Sequence, residues 1–292
     1  MDIIDEDLIT TDAVPFLSQN GVNVQVLRLD TIHPVISGNK WFKLKFHLQK
    51  AIEGKYKAVI TYGGAFSNHI AATAAACAAN DIPCIGIIRG EEPGSYSHTL
   101  INAREYGMQL HFMSRTGYQN KTLPPAFEGC DYYIIPEGGY SETGASGAAT
   151  ISYNKSAFDH ILCAVGTGTM MAGLINSKAA HASVLGLSTL KNHSLLESEV
   201  RALLANKDQP VLINHAYHFG GYAKQNPPLI RFMNELFAAT GIPTDFVYTG
   251  KLFYGVHDLI QQNHFPVGSR LLMVHSGGLQ GNLSLRKGTL IF

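Results

Sequence analysis

The chain is poor in charge. Lys plus Arg and Asp plus Glu number 22 each, together 15% of 292 residues, and the formal net charge is zero. Without a basic excess there is no electrostatic footprint for nucleic acid or for an anionic membrane surface. Long apolar runs are also missing. The stretch of lowest polarity, IAATAAACAA at 70–79, is far short of the about 20 residues that a bilayer-spanning helix needs. The acidic opening MDIIDEDLITTD lacks the basic start and apolar core of a signal peptide, so a soluble, cytoplasmic chain is expected. Cysteines are few: Cys77, Cys84, Cys130 and Cys163 form neither a CxxC pair nor a zinc-ligand spacing. Cys77, Cys84 and Cys163 lie in apolar stretches and read as reduced, buried thiols. The histidines at 215 and 218 make an i,i+3 pair without a third ligand, and no metal is expected.

Apolar content is plentiful at 46%, enough for a large core in one big domain or two lobes. No linker, charge block or internal repeat interrupts it. One pattern recurs instead, a short β-rich run, a glycine turn and a helix-like stretch. KAVITYGGAFSNHIAATAAACAA at 57–79 is the clearest copy, and others start at 83, 131, 159 and 269. Strands alternating with helices predict an α/β fold with parallel sheets covered on both faces. Such folds bind ligands where strands end, so the glycine turns are where chemistry is expected.

Three turns stand out. In AVGTGTMMAGL the chain passes Gly166-Thr167-Gly168-Thr169 and enters a helix at about Met170. Converging N–H groups and the helix dipole would make a phosphate cup there. A dinucleotide fingerprint would need glycine at Met171, and a tight turn with nothing bound is the plain alternative. In TYGGAFSNHIAATAAA, Ser67 or Asn68 caps an alanine-rich helix, and Ser67-Asn68-His69 could also offer N–H groups to a carboxylate. Tyr248-Thr249 precede a further helix, and Tyr222 lies in HFGGYAK. Alone, these read as a cap and core tyrosines.

From HPVISGNKWFKLKFHLQKA onward, Trp41, Leu44, Leu48 and Ile52 mark the buried face of a helix. Lys40 sits just ahead of it, where the dipole disfavours an ammonium ion and favours a neutral nucleophile. Lys43, Lys45 and Lys50 read as exposed surface lysines.

The order of SGNKWFKLK, GGAFSNHIAATAAA, IPEGGYSETGASG, VGTGTMMAG, FVYTGK and HSGGLQG resembles one family. It is that of 1-aminocyclopropane-1-carboxylate deaminase and D-cysteine desulfhydrase, pyridoxal-phosphate (PLP) enzymes with the tryptophan-synthase-β-like fold. The resemblance implies two lobes, each a mainly parallel twisted sheet flanked by helices. The larger would take 1–40 and 137–292, the smaller 41–136, with the cofactor in the cleft between them. It implies that Lys40 forms the Schiff base with PLP, that Asn68 lies beside the cofactor's phenolic oxygen, and that Ser67 and His69 cradle the substrate carboxylate. Gly166, Thr167, Gly168 and Thr169 match the phosphate loop. Tyr222 and Tyr248 match the tyrosines facing the substrate, and Thr249 the residue next to the pyridine nitrogen. A small amino-acid substrate and a homodimer are implied too.

Two departures bear on the reaction. Cyclopropane deaminases carry glutamate where this chain has Thr249, and SNQ where it has SNH. A hydroxyl holds the pyridine nitrogen protonated less strongly than a carboxylate, which suits β-elimination better than ring opening. The expected reaction is therefore D-cysteine to pyruvate, sulfide and ammonia, with Lys40 removing the α-proton. Cyclopropane deamination, racemisation or dehydration on the same fold are the alternatives, and a ligand-binding protein without chemistry is another. Tyr140 and Glu142 depart from the family pattern and are expected to reshape the pocket.

Overall fold

The computed structural model describes residues 4–292; residues 1–3, the start of the expected larger lobe and of the acidic opening, lie outside it. Strands β1 (Thr11–Ala13), β2 (Asn23–Arg28), β3 (Ala58–Gly63), β4 (Cys84–Arg89) and β5 (Gln109–Met113) are followed by β6 (Tyr132–Ile135), β7 (His160–Val165), β8 (Ser183–Ser188), β9 (Leu212–Asn214) and β10 (Arg270–His275). Helices α1 (Asn39–Glu53), α2 (Asn68–Ala78), α3 (His98–Glu105), α4 (Arg115–Gln119) and α5 (Glu142–Ala148) precede α6 (Thr169–Ser177), α7 (Leu196–Ala202), α8 (Pro227–Thr240) and α9 (Thr249–Gln261). Two sheets result, in the orders β1-β2-β10-β7-β8-β9 and β5-β4-β3-β6. Apart from the β1–β2 pair, every pairing is parallel. The central strands β3, β4 and β7 are near-continuous apolar runs, as sheets covered on both faces require.

Helix α1 lies between the sheets, packed along α5 and against α2. Its first turns are enclosed nearly all round, with Asn39, Trp41, Phe42, Lys43, Leu44 and His47 buried. Two expectations fail for that reason. Lys43 is not a surface lysine but is buried at 5% exposure, while Ile52 is 45% exposed, because the last turn of α1 emerges from between the sheets and Ala51 takes the inward position. Lys45, half-buried, pairs with Glu6, and Lys50 is exposed.

The chain reaches α1 through Gly38, at φ 62°. A Cβ there would stand 1.9 Å from the Ser276 carbonyl oxygen, so only glycine lets the turn before Lys40 lie against the loop after β10. The Asn39 N–H donates to that same carbonyl at 3.2 Å. Lys40 is thus held at the carboxyl edge of the larger sheet, within the first turn of α1 rather than ahead of it.

The cysteines are free, Cys77, Cys84 and Cys163 buried and Cys130 exposed. No helix among the described residues is long and apolar enough to cross a membrane. The paired histidines have separate uses, His215 against Glu197 and His218 as acceptor for the Gly220 N–H.

Candidate active site

A cavity of about 890 Å³ opens between the two sheets, at the carboxyl ends of β3, β4, β6, β7 and β10. Lys40, Asn68, His69, Gly166, Thr167 and Gly168 line it, as do Ser67, Tyr222 and Tyr248. Side chains as far apart in sequence as Lys40 and Tyr248 thereby meet in one place. Two expected residues do not reach the wall: Thr169 is fully buried in α6 and Thr249 fully buried in α9.

Lys40 Nζ donates to Asn39 Oδ1 at 2.8 Å and lies 5.9 Å from the centre of the Tyr248 ring. Burial pushes its ammonium down to about 8, partly opposed by the Asp245 carboxylate. Near neutral pH it therefore has a far larger neutral fraction than an ordinary lysine.

The β7–α6 turn forms one anion cradle. Gly168 is left-handed at φ 80°, and a Cβ there would press on Val200 Cγ2 at 2.5 Å. The N–H groups of Thr167, Gly168 and Thr169 in this turn find no acceptor among the described residues. The threonine hydroxyls bond to each other at 3.1 Å. Across the cavity the start of α2 forms a second cradle. Ser67 caps the helix through Ile70 N–H at 3.4 Å and spends its own N–H on the Gly64 carbonyl. The N–H groups of Asn68 and His69 remain without an acceptor among the described residues. His69 is buried, its Nε2 bonded to Thr61 Oγ1 at 2.8 Å and its Nδ1 unpartnered among the described residues. Burial and the nearby lysines hold it well below the usual imidazole range, so it is neutral.

The two tyrosines meet edge to face, with ring centres 6.0 Å apart. Tyr248 is pushed well above the usual phenol range by burial and by Tyr222, so its hydroxyl keeps its proton. The Thr249 hydroxyl is committed inward, donating to Asp245 Oδ1 at 2.7 Å and accepting the Asp245 N–H at 2.8 Å. Glu142 is exposed on the outside of α5 and does not line the cavity, whereas Tyr140 does, its hydroxyl donating to the Glu199 carbonyl oxygen. The expectation that Glu142 reshapes the pocket is therefore wrong. Residue 142 sits in the first turn of α5, on the side turned to solvent and away from the cavity.

Sequence reading passed over three residues of the site. Lys43 lines the cavity without a hydrogen-bond partner among the described residues, and burial with the Lys40 charge pushes its ammonium well down. Its i+3 spacing from Lys40, which puts both on one helical face, is the signal that could have found it. Asn39 orients Lys40, and the GNK motif contains it. Asp245, fully buried, accepts N–H groups from Val247, Tyr248 and Thr249 at 2.8–2.9 Å and so builds the first turn of α9. An aspartate a few residues ahead of a helix, able to bond the N–H groups that follow it, is the local signal that could have found it.

A family model described as pyridoxal-phosphate dependent enzyme matches residues 10–277. The bifunctional D-cysteine desulfhydrase/1-aminocyclopropane-1-carboxylate deaminase of Arabidopsis thaliana mitochondria is 29% identical over 296 residues, covering 90% of this chain and 74% of that protein. A D-cysteine desulfhydrase of Klebsiella pneumoniae is 25% identical, with 91% and 90% of the two chains covered. Among solved structures, an ACC deaminase homologue superposes with a TM-score of 0.81 at 27% identity, covering 94% of this chain and 90% of the other.

Proposed function

The chain belongs to the pyridoxal-phosphate-dependent enzymes, and from that premise we propose that it removes a β-substituent and the amine from a small amino acid. D-Cysteine is the proposed substrate, and with one water it yields pyruvate, sulfide and ammonium. The observation that carries this reading is a half-buried lysine, with its ammonium pushed down to about 8, between two cradles of unused N–H groups.

The residues present fit the cofactor. A phosphate would satisfy the N–H groups of Thr167, Gly168 and Thr169, and would give buried Lys43 the counter-charge it lacks among the described residues. Lys40 would hold the cofactor covalently, and Asn68 would flank its ring. When bound, the cofactor supplies an electron sink for negative charge at the substrate's α-carbon.

The chain's own groups divide the remaining work. The N–H groups of Asn68 and His69 bind the substrate carboxylate, with the Ser67 hydroxyl beside them. Lys40 Nζ takes the α-proton, and Asn39 Oδ1 keeps that nitrogen oriented. Tyr248, protonated, offers its hydroxyl to the departing thiol, with Tyr222 alongside. At the position that the sequence pattern sets next to the pyridine nitrogen this chain has the Thr249 hydroxyl and not a carboxylate, and that hydroxyl donates to Asp245. That supports elimination over ring opening, which needs the deeper sink.

The lobes proposed for this chemistry are 41–136, which contains all four strands of the smaller sheet, and the remainder. A homodimer, implied by the sequence resemblance, and a cytoplasmic location belong to the same proposal.

The test is the visible absorption spectrum of the purified protein before and after D-cysteine, with sulfide assayed. 1-Aminocyclopropane-1-carboxylate is the comparison substrate, because the Arabidopsis relative's name carries both activities. A visible band that changes with D-cysteine as sulfide appears supports the reading. Lys40→Ala should lose both the band and turnover. A coloured, active Lys40→Ala protein would sink it.

A further inference from the structure

Resting on the amino-acid reading above, we propose that Arg89, on the same cavity wall as Tyr222, forms a second anion subsite that tightens the binding of small amino acids carrying a negatively charged group beyond the α-carboxylate. Arg89 is the last residue of β4, at the carboxyl edge where ligands of such sheets lie. It lines the cavity at its mouth. One guanidinium nitrogen lies 3.8 Å from the place a Cβ would take on Gly64, in the turn that leads to Ser67 and Asn68. The guanidinium therefore stands beside the cradle proposed for the α-carboxylate.

The charges around it leave Arg89 over. On this side of the cavity Lys121 is matched by Glu137 and also lies over the Tyr118 ring at 3.4 Å. Among the described residues Arg89 has no ion pair and no side-chain hydrogen bond. Tyr222, 45% exposed, lines the same cavity; burial pushes its phenol up, and the Arg89 charge partly opposes that. A planar five-donor fork suits a carboxylate bound by two oxygens. The volume agrees, since about 890 Å³ is near the top of the range of ligand cavities, about 300–1,000 Å³, as a site that must hold a cofactor and an amino acid together requires.

The holoenzyme tests this with alanine and aspartate, each in both enantiomers, titrated against the visible band. The pairs differ in a distal carboxylate and in nothing else near the α-carbon. Aspartate of the accepted handedness should half-saturate at about tenfold lower concentration than alanine, the size of one charge-assisted contact. Arg89→Gln should erase that ratio and leave alanine unchanged, and added salt should shrink it in the wild type, because the group is exposed. Equal response to alanine and aspartate in the wild type overturns the subsite and leaves the amino-acid reading standing. Equal weakening of both ligands by Arg89→Gln also overturns it, by making Arg89 a reader of the α-carboxylate. A band that ignores all four amino acids overturns both.

Discussion

Lys40 and Lys43 lie one helical turn apart in the same cavity, and their environments give them different work. Lys40 keeps an acceptor, Asn39, and the distant Asp245 charge, which hold its ammonium at about 8. Lys43 has neither, and burial with the Lys40 charge pushes its ammonium well down. A buried cation without a partner is costly unless an anion arrives, so Lys43 is poised for the phosphate. Two consequences can be read from the cofactor-free protein as it takes up PLP. The uptake rate should climb as pH rises through about 8 and flatten above it, because only the neutral amine attacks; an ordinary lysine would still be climbing near pH ~10. Lys43→Met should leave that midpoint in place and weaken retention of the cofactor by roughly tenfold or more, as for one charge-assisted bond. An uptake midpoint near pH ~10 would contradict the environment assigned to Lys40.

Helix α9 and the loop at 218–223 work as one element. The loop is strained: Phe219 and Ala223 sit at φ 53° and 52°, where side chains are disfavoured, with Gly220 and Gly221 between them also at positive φ. Its conformation is held from α9, where buried Lys251 donates to the His218 and Gly221 carbonyls at 2.9 and 2.7 Å. The Phe219 ring packs edge-on against Tyr254 of the same helix at 4.9 Å. Tyr222 is presented to the cavity by this loop and Tyr248 by the start of α9, so Lys251 positions one tyrosine against the other. Lys251→Met keeps the side chain's bulk and loses both bonds. It should lower kcat by about tenfold or more while the visible band persists, with Lys251→Arg restoring part of the loss. Hydrogen exchange across 215–224 should rise in the methionine variant. Unchanged kcat with faster exchange would mean that Tyr222 needs no fixed position.

At the scale of the whole molecule, each sheet has an apolar cluster of its own, but a third and larger cluster is shared between the two. One cluster of buried apolar residues runs from Val59 and Ile70 of the smaller sheet's layer, through Phe42 and Leu44 of α1, to Ile161, Met170 and Leu272 of the larger. Bodies that share a core unfold together, so calorimetry should record one thermal transition and not two. Saturating PLP should move that transition up without splitting it, since a ligand at a hundredfold excess over Kd adds about 2.7 kcal/mol to the native state. Two separated transitions would show that α1 fails to couple the layers.

Much of this was legible in the residues. The recurrence of apolar run, glycine turn and helix follows from covalent geometry and local burial, so the α/β class could be read without tertiary information, as could the cap at Ser67. The positions of Lys40, Asn68, Gly166, Thr167, Gly168, Tyr222 and Tyr248 came with the order of motifs, and the fold brings all of them to one cavity. What the chain alone could not disclose depends on neighbours distant in sequence. Lys43 looks like a solvated lysine until α1 is enclosed between two sheets, and Ile52 looks like core until the same helix emerges into solvent. Thr249 was placed by pattern, but the direction of its hydroxyl is set by Asp245, whose carboxylate the first turn of α9 wraps. Arg89 has no local signature at all; its place at the mouth comes from the register of β4 beside β3. Local propensity and periodicity determine which elements form, whereas burial, charge balance and the direction of a polar side chain are decided only when those elements pack.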